Sequence, residues 1–334
     1  MERSMEFDHR HSGHCESGTV SALLRQRGLD LSEPMVFGIG GGLFFVHLPL
    51  IKMGGIPLTS YRSAPRGIIK NVCKRLGVRM RHLRFRDQNA GMQALDELLA
   101  QGQPVGLQTC VFWLPYFPSD MRFQFNAHNL VAYGKRDNDY LLSDPVFEDT
   151  VVCPAADLRR ARFAKGTFAP RGLLYYPDVV PQSPDLATAV RGAIRDTCKQ
   201  MLDVPMPFLG VRGIRRLARR MAQWPVRLGG EQALVWVGSV VRMQEEIGTG
   251  GAGFRFIFAA FLQEAGELLE SEPLREASRA MTETGDRWRD FAVQGAVLCK
   301  AHETDARAYA RLGEILLECA DREERIFRNL QKTV

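Results

Sequence analysis

The chain has 334 residues, 45% hydrophobic, 25% charged and 9% aromatic, with a formal charge of +6. That length spans about two domains, each able to bury a core, and the composition excludes a disordered chain, a collagen-like repeat and a small disulfide scaffold. Seven cysteines stand at least 20 residues apart with no C-x-x-C pair; this favours a reduced, cytoplasmic protein, and the arginine-rich positive balance favours an acidic partner.

The first eighteen residues are charged and histidine-rich without an apolar stretch, so no secretory signal is expected. A helix is expected to begin near Cys15 and run through TVSALLRQRG, with Val20, Leu23 and Leu24 on one face and Gly28 as its stop. Met35–Ile51 is the most apolar run, but four glycines, a histidine and a proline break it, so no membrane span is expected. Helices over Arg66–Leu76 and Met92–Ala100 end at Gly77 and near Gly102. Strands are expected at Arg79–Phe85, Val105–Phe112, Asn129–Tyr133, Tyr140–Ser143 and Gly172–Tyr176, with the turn-rich GKRDND joining the third and fourth. Pro177–Leu186, with three prolines, reads as a linker. Beyond it, apolar residues at three- and four-residue spacing predict helices over Leu186–Leu202, Gln232–Ile247, Phe254–Glu270, Met281–Lys300 and Asp305–Leu330. The expected architecture is an α+β domain over residues 1–178 and an all-α helical domain over 179–334.

Two features carry chemistry. Cys15, in Gly13-His14-Cys15-Glu16-Ser17-Gly18, sits at a helix N-terminus, where unsatisfied N–H groups and the macrodipole favour thiolate over thiol. A buried cysteine acting as a small hydrophobe is the alternative, and the polar and glycine neighbours speak against it. The second feature is His128, which opens one strand of the expected hairpin, with Asp144, before Pro145, closing the other. An antiparallel pair brings these two ends side by side, and a carboxylate beside an imidazole fixes its tautomer and stabilises the imidazolium.

A helix-capping cysteine, a strand histidine and an aspartate sixteen residues beyond it resemble the papain-like cysteine peptidases, in their C39-like branch. The closer resemblance is to the butirosin biosynthesis protein H family. It rests on His14-Cys15-Glu16-Ser17, on Leu31-Ser32-Glu33-Pro34-Met35-Val36-Phe37-Gly38-Ile39-Gly40, on His128 with Asp144-Pro145, and on the glycine-rich Gly248–Arg255. The resemblance implies a papain-like fold and acyl transfer from an acyl-carrier-protein thioester, through acyl-Cys15, to a small-molecule amine in specialised-metabolite biosynthesis. Cys15 would be the nucleophile, His128 the general base and acid, and Asp144 the orienting carboxylate. The chain would need no cofactor of its own, since the donor acyl group rides on the carrier's phosphopantetheine. The alternative is a cysteine hydrolase, thioesterase or peptidase, with the same triad. His14, Glu16, Gly40 and Arg255 are candidate substrate or oxyanion contacts. One departure stands out: the peptidases place a glutamine about six residues before the cysteine, and here that position is His9.

Rival signals are weaker. His9, His11, His14 and Cys15 form H-x-H-x-x-H-C, but no second ligand cluster accompanies them, and no metal is expected. FGIGGG fails the dinucleotide pattern at Leu43 and lacks a phosphate-loop G-K-[ST]; its glycines serve either a close backbone approach or a tight turn. Arg212, Arg215, Arg216 and Arg219 form one helical stripe, read either as a solvated or ion-pairing face or as a dock for an acidic carrier protein. No interleaved aromatics support nucleic-acid binding. A homodimer is a candidate assembly.

Overall fold

The structure, a computed structural model, describes residues 7–53 and 55–334; the part of the N-terminal signal reading that concerns residues 1–6 lies outside them. In chain order the elements are α1 (Cys15–Arg25), α2 (Glu33–Ile39), β1 (Leu43–Met53), β2 (Ile56–Arg62), α3 (Gly67–Leu76), β3 (Arg79–Leu83), α4 (Gln88–Ala100) and β4 (Val105–Thr109). There follow β5 (His128–Arg136), β6 (Asp139–Ser143), β7 (Val151–Pro154), α5 (Ala155–Arg162) and β8 (Leu174–Val179). The remainder is helical: α6 (Leu186–Leu202), α7 (Gly210–Met221), α8 (Trp224–Leu228), α9 (Gly230–Glu245), α10 (Arg255–Leu268), α11 (Glu272–Lys300) and α12 (Ala306–Thr333). None of these helices is long and apolar enough to cross a membrane.

Two compact units divide the chain. The first runs to Val36 and resumes at Ile69–Pro184; the second comprises Phe37–Ile68 and Asp185–Val334. Segment 37–68, placed by the sequence reading in the domain 1–178, therefore groups with the C-terminal helices.

In the first unit all six strands pair antiparallel in the order β3-β8-β4-β5-β6-β7. Val105 and Leu107 of β4, Leu130 and Ala132 of β5, and Leu142 of β6 bury one face of the sheet with Met92, Leu95 and Leu99 of α4 and Leu158 of α5. The i, i+2 spacing on the strands and the i, i+3, i+7 spacing on α4 are the pleat and helix periods that build such a layer. Helix α1 packs on β4, β5 and β8 and is buried from Cys15 to Leu24. It stops at Gly28, whose φ of +84° a residue with a side chain adopts with strain. Strand β7 and helix α5 had not been expected, and β8 extends through Pro177 into the segment read as linker. Pairing of Pro177 and Val179 with Met80 and Arg79 of β3 overrides the proline signal there.

The second unit holds the hairpin β1–β2, which the sequence reading passed over, and helices α6–α12. Along β1, Leu43, Phe45 and His47 are buried while Phe44, Val46 and Leu48 are half-buried. Apolar residues on both faces hid the period of two. His47 lies inside, against Thr59 at 3.0 Å, and is kept neutral: burial and then Arg216 push its pKa down to about 4. Of the FGIGGG glycines, Gly38 serves packing, for a Cβ there would fall 2.0 Å from the Phe261 ring of α10, and Gly41, with a φ of +61°, serves the turn.

At the centre of this unit Arg255, with no accessible surface, donates to Glu323 at 2.8 and 3.2 Å and to the Gly253 carbonyl at 2.7 Å. Trp288 Nε1 donates to the same carboxylate at 2.7 Å, and its ring lies 4.8 Å from the guanidinium. Arg255 is thus a buried ion-pair residue of the helical core, and this corrects its candidacy as a substrate contact. Arg215 is corrected in the same way as a docking residue: it binds Asp321 at 2.6 Å and Glu324 at 2.5 Å, holding α7 to α12.

Candidate active site

Cys15 is the first residue of α1 and only 6% exposed. His14 caps the helix in an extended conformation, its Nδ1 accepting from the Ser17 N–H. The loop that carries Cys15 is anchored from outside by Glu33, the first residue of α2. Its carboxylate accepts the N–H groups of Gly13 at 2.8 Å and His14 at 2.7 Å, and the Ser17 hydroxyl at 3.1 Å. Burial raises the Glu33 pKa, and these three donors oppose the rise. Hydrogen bonds to a charged group contribute roughly 1.5–3 kcal/mol each, so Glu33 fixes the backbone on which Cys15 is mounted.

The Asp144 turn is tied to the same loop. Ser12 N–H donates to the Pro145 carbonyl at 2.6 Å, and a Cβ on Gly18 would lie 2.6 Å from the Pro145 Cβ. Only glycine at position 18 lets the turn approach α1 this closely. Asp144, with no accessible surface, accepts His128 Nε2 at 2.7 Å and the Tyr116 hydroxyl at 2.8 Å on Oδ2, and the Val146 N–H at 3.3 Å on Oδ1. With Nε2 directed to Asp144, Nδ1 is the ring nitrogen that remains, and Cys15 lies near enough to His128 to act on its pKa. Phe117 meets the imidazole edge-on, with centroids 5.4 Å apart, and Phe147 packs on both Tyr116 and Phe117. Burial opposes protonation of His128, but Asp144 and then Cys15 outweigh it and hold the pKa up at about 10. The arrangement can therefore keep an imidazolium beside a cysteine sulfur at neutral pH.

The remaining candidates divide. Glu16 is buried, and its Oε1 accepts the Ile69 N–H at 3.3 Å, near the start of α3. Gly40 belongs to the second unit, in the buried turn after α2. His9 binds the Ser143 hydroxyl at 2.7 Å and the Phe147 carbonyl at 3.0 Å. Its ring therefore serves the Asp144 segment, while the N–H of the first helical residue of α1 has no intrahelical acceptor. Among the described residues no group of three or more His, Cys, Asp or Glu is arranged to hold a metal.

The sequence reading gave no role to Glu33, Tyr116, Phe117 or Phe147. Ser32-Glu33-Pro34 carried a helix-start signal, and Pro115-Tyr116-Phe117-Pro118 an aromatic loop, but their contacts span 16 to 30 residues of chain.

Burial pushes the thiol pKa up at Cys73 (to about 11), at Cys153 and Cys198 (each to about 12), and at Cys110, Cys299 and Cys319. A brief iodoacetamide pulse near pH 6, followed by peptide mapping, should label Cys15 ahead of all of them. Even labelling that spares Cys15 would contradict the thiolate assignment.

A helix that starts on the cysteine, packed on an antiparallel sheet whose adjacent strands bring in the histidine and the aspartate, defines a cysteine-peptidase-like enzyme of the papain-like α+β class. The chain belongs to the butirosin biosynthesis protein H-like family: residues 14–145 match the family model described as Butirosin biosynthesis protein H, N-terminal. Residues 156–330, more than half of the chain, match the model described as Domain of unknown function (DUF4872). Among solved structures, a C39-like peptidase from Bacillus anthracis is similar at 14% identity and a TM-score of 0.36, over 53% of this chain and 96% of its own. No curated protein matches the chain.

Proposed function

We propose that the protein is a cysteine-dependent acyltransferase that takes an acyl group from an acyl-carrier-protein thioester and delivers it to a small-molecule amine in the cytoplasm. The observation that carries this reading is the buried chain Cys15–His128–Asp144, with the His128–Asp144 hydrogen bond at 2.7 Å. The Cys15 thiolate attacks the thioester carbonyl; the carrier thiol leaves with the proton of the His128 imidazolium, and acyl-Cys15 remains. The acceptor amine then attacks acyl-Cys15, gives a proton to His128 and departs as amide, restoring the thiolate. Tyr116 and Asp144 hold the imidazole in place through both steps. The donor brings its phosphopantetheine with it, so the chain supplies no cofactor. Engagement of His9 with Ser143 and Phe147 supports thioester rather than peptide chemistry, because an activated thioester with a low-pKa leaving group requires less oxyanion stabilisation.

The experiment is the fate of a labelled acyl group on the wild-type enzyme, followed by intact-mass spectrometry. A transferase holds acyl-Cys15 for minutes without amine and releases amide when one is added. Rapid loss as free acid, at a rate indifferent to amine, would establish the hydrolase instead.

Carrier docking falls to the exposed arginines of α7. Arg212 and Arg219 face solvent, seven residues apart on the helix, while Arg215 is engaged with α12. Arg212→Glu with Arg219→Glu should raise KM for a carrier-bound donor and leave a small thioester mimic unaffected. Salt should act in the same direction, since exposed charges are screened over about 8–10 Å. Equal losses on both donors would show the segment to be structural.

A further inference from the structure

We propose that the first unit carries a second ligand site, separate from Cys15, His128 and Asp144, that takes a phosphorylated small molecule. The site is a cavity of about 760 Å³ between α4, α5 and the ends of β5 and β6, within the roughly 300–1,000 Å³ of small-molecule sites. Lys135, on its wall, lies seven residues along β5 from His128, about 23 Å at 3.3 Å per residue.

Charge is unbalanced there. Lys135, Arg159, Arg160 and Lys165 line the cavity against one carboxylate, Asp96. That carboxylate is already held by Lys135 at 2.7 Å and by the Tyr140 hydroxyl at 2.5 Å. Arg159 donates to the neutral Asn89 Oδ1 at 2.8 Å, and Arg160 lies over the Trp113 ring at 5.4 Å with Asp157 3.5 Å away.

Beside the wall is a fifth cation. Arg162 has no accessible surface, and it donates to the Gly91 carbonyl, the Met92 sulfur and the Gly172 carbonyl rather than to a carboxylate. Its Nε is buried without a partner, and burial pushes its pKa down to about 10 against Tyr140 and Asp96. Met92 and Phe163, which touch Arg162, also line the cavity. A buried guanidinium with no contacting anion projects positive potential onto that surface, and an anion bound there would be its counter-ion. Guanidinium forks match phosphate oxygens in pairs. Trp113, Met92 and Phe163 offer an apolar floor for the body of the ligand.

Isothermal titration of the full chain with inorganic pyrophosphate and with ADP, at about 150 mM salt to screen loose surface attraction, tests this. Both probes should bind, ADP more tightly through its ring. Arg159→Gln with Arg160→Gln, both on the surface of α5, should weaken both by about tenfold or more, with circular dichroism unchanged. Arg279→Gln, an exposed arginine of α11, should leave binding as it was. Absence of binding by either probe, or an equal loss from Arg279→Gln, would overturn the site. An ADP affinity no better than that of pyrophosphate would overturn the role given to Trp113.

Discussion

Cys15→Ala should abolish both the acyl-enzyme and the amide product, because no neighbouring group replaces a thiolate nucleophile. Asp144→Asn tests the other end of the chain. The amide still fills the space beside Tyr116 and His128, but it withdraws the charge that holds the His128 pKa at about 10. With that charge gone, burial dominates and drives the pKa down. The expected loss in kcat/KM is on the order of 10²–10⁴-fold, the range contributed by a positioned acid–base group. The pH profile separates this from a structural defect. In the wild type the imidazolium persists until pH climbs towards 10, so activity should hold on the alkaline side until then; in Asp144→Asn the decline should begin at lower pH. Stability follows the same sign. A histidine whose pKa is raised above the unfolded 6.5 stabilises the fold fully below that value and loses the contribution as pH rises through about 10. An unshifted alkaline limb in Asp144→Asn would remove Asp144 from the protonation chemistry.

Glu323→Ala should be the most destabilising single change in the helical unit. Arg255 and Glu323 both have no accessible surface, and Trp288 Nε1 shares the carboxylate. Removing the acid strands a buried guanidinium and an indole donor together, and breaking such a pair costs roughly 3–5 kcal/mol. Arg255→Met with Glu323→Leu should lose less than Glu323→Ala alone, because no unpaired charge is left inside. The midpoint of urea unfolding measures both. A wild-type midpoint for Glu323→Ala would mean that Arg255 is neutralised by another group.

Much of the first unit was legible because its signals are local. The start of α1 at Cys15, its stop at Gly28, and the β5–β6 hairpin that sets His128 beside Asp144 are written in capping residues, a left-handed glycine and a turn within a few positions. Five helices after Pro184 (α6, α9, α10, α11 and α12) were legible for the same reason, since a period of 3.6 survives whatever the helix packs against, whereas the five residues of α8 are too few to show it. What surrounds the site was not legible. Glu33 reaching Gly13 and His14, Tyr116 reaching Asp144 and His9 reaching Ser143 close chain loops of 19 to 134 residues, and no local pattern specifies which loop closes on which. The hairpin β1–β2 and the fate of Arg255 and Arg215 belong to the same class. A strand apolar on both faces, or an arginine on a helical stripe, has several partners open to it in the sequence. Tertiary packing chose the helical core for the first, Glu323 for the second and α12 for the third, because a buried charge or strand edge is stable only where the fold supplies its counterpart.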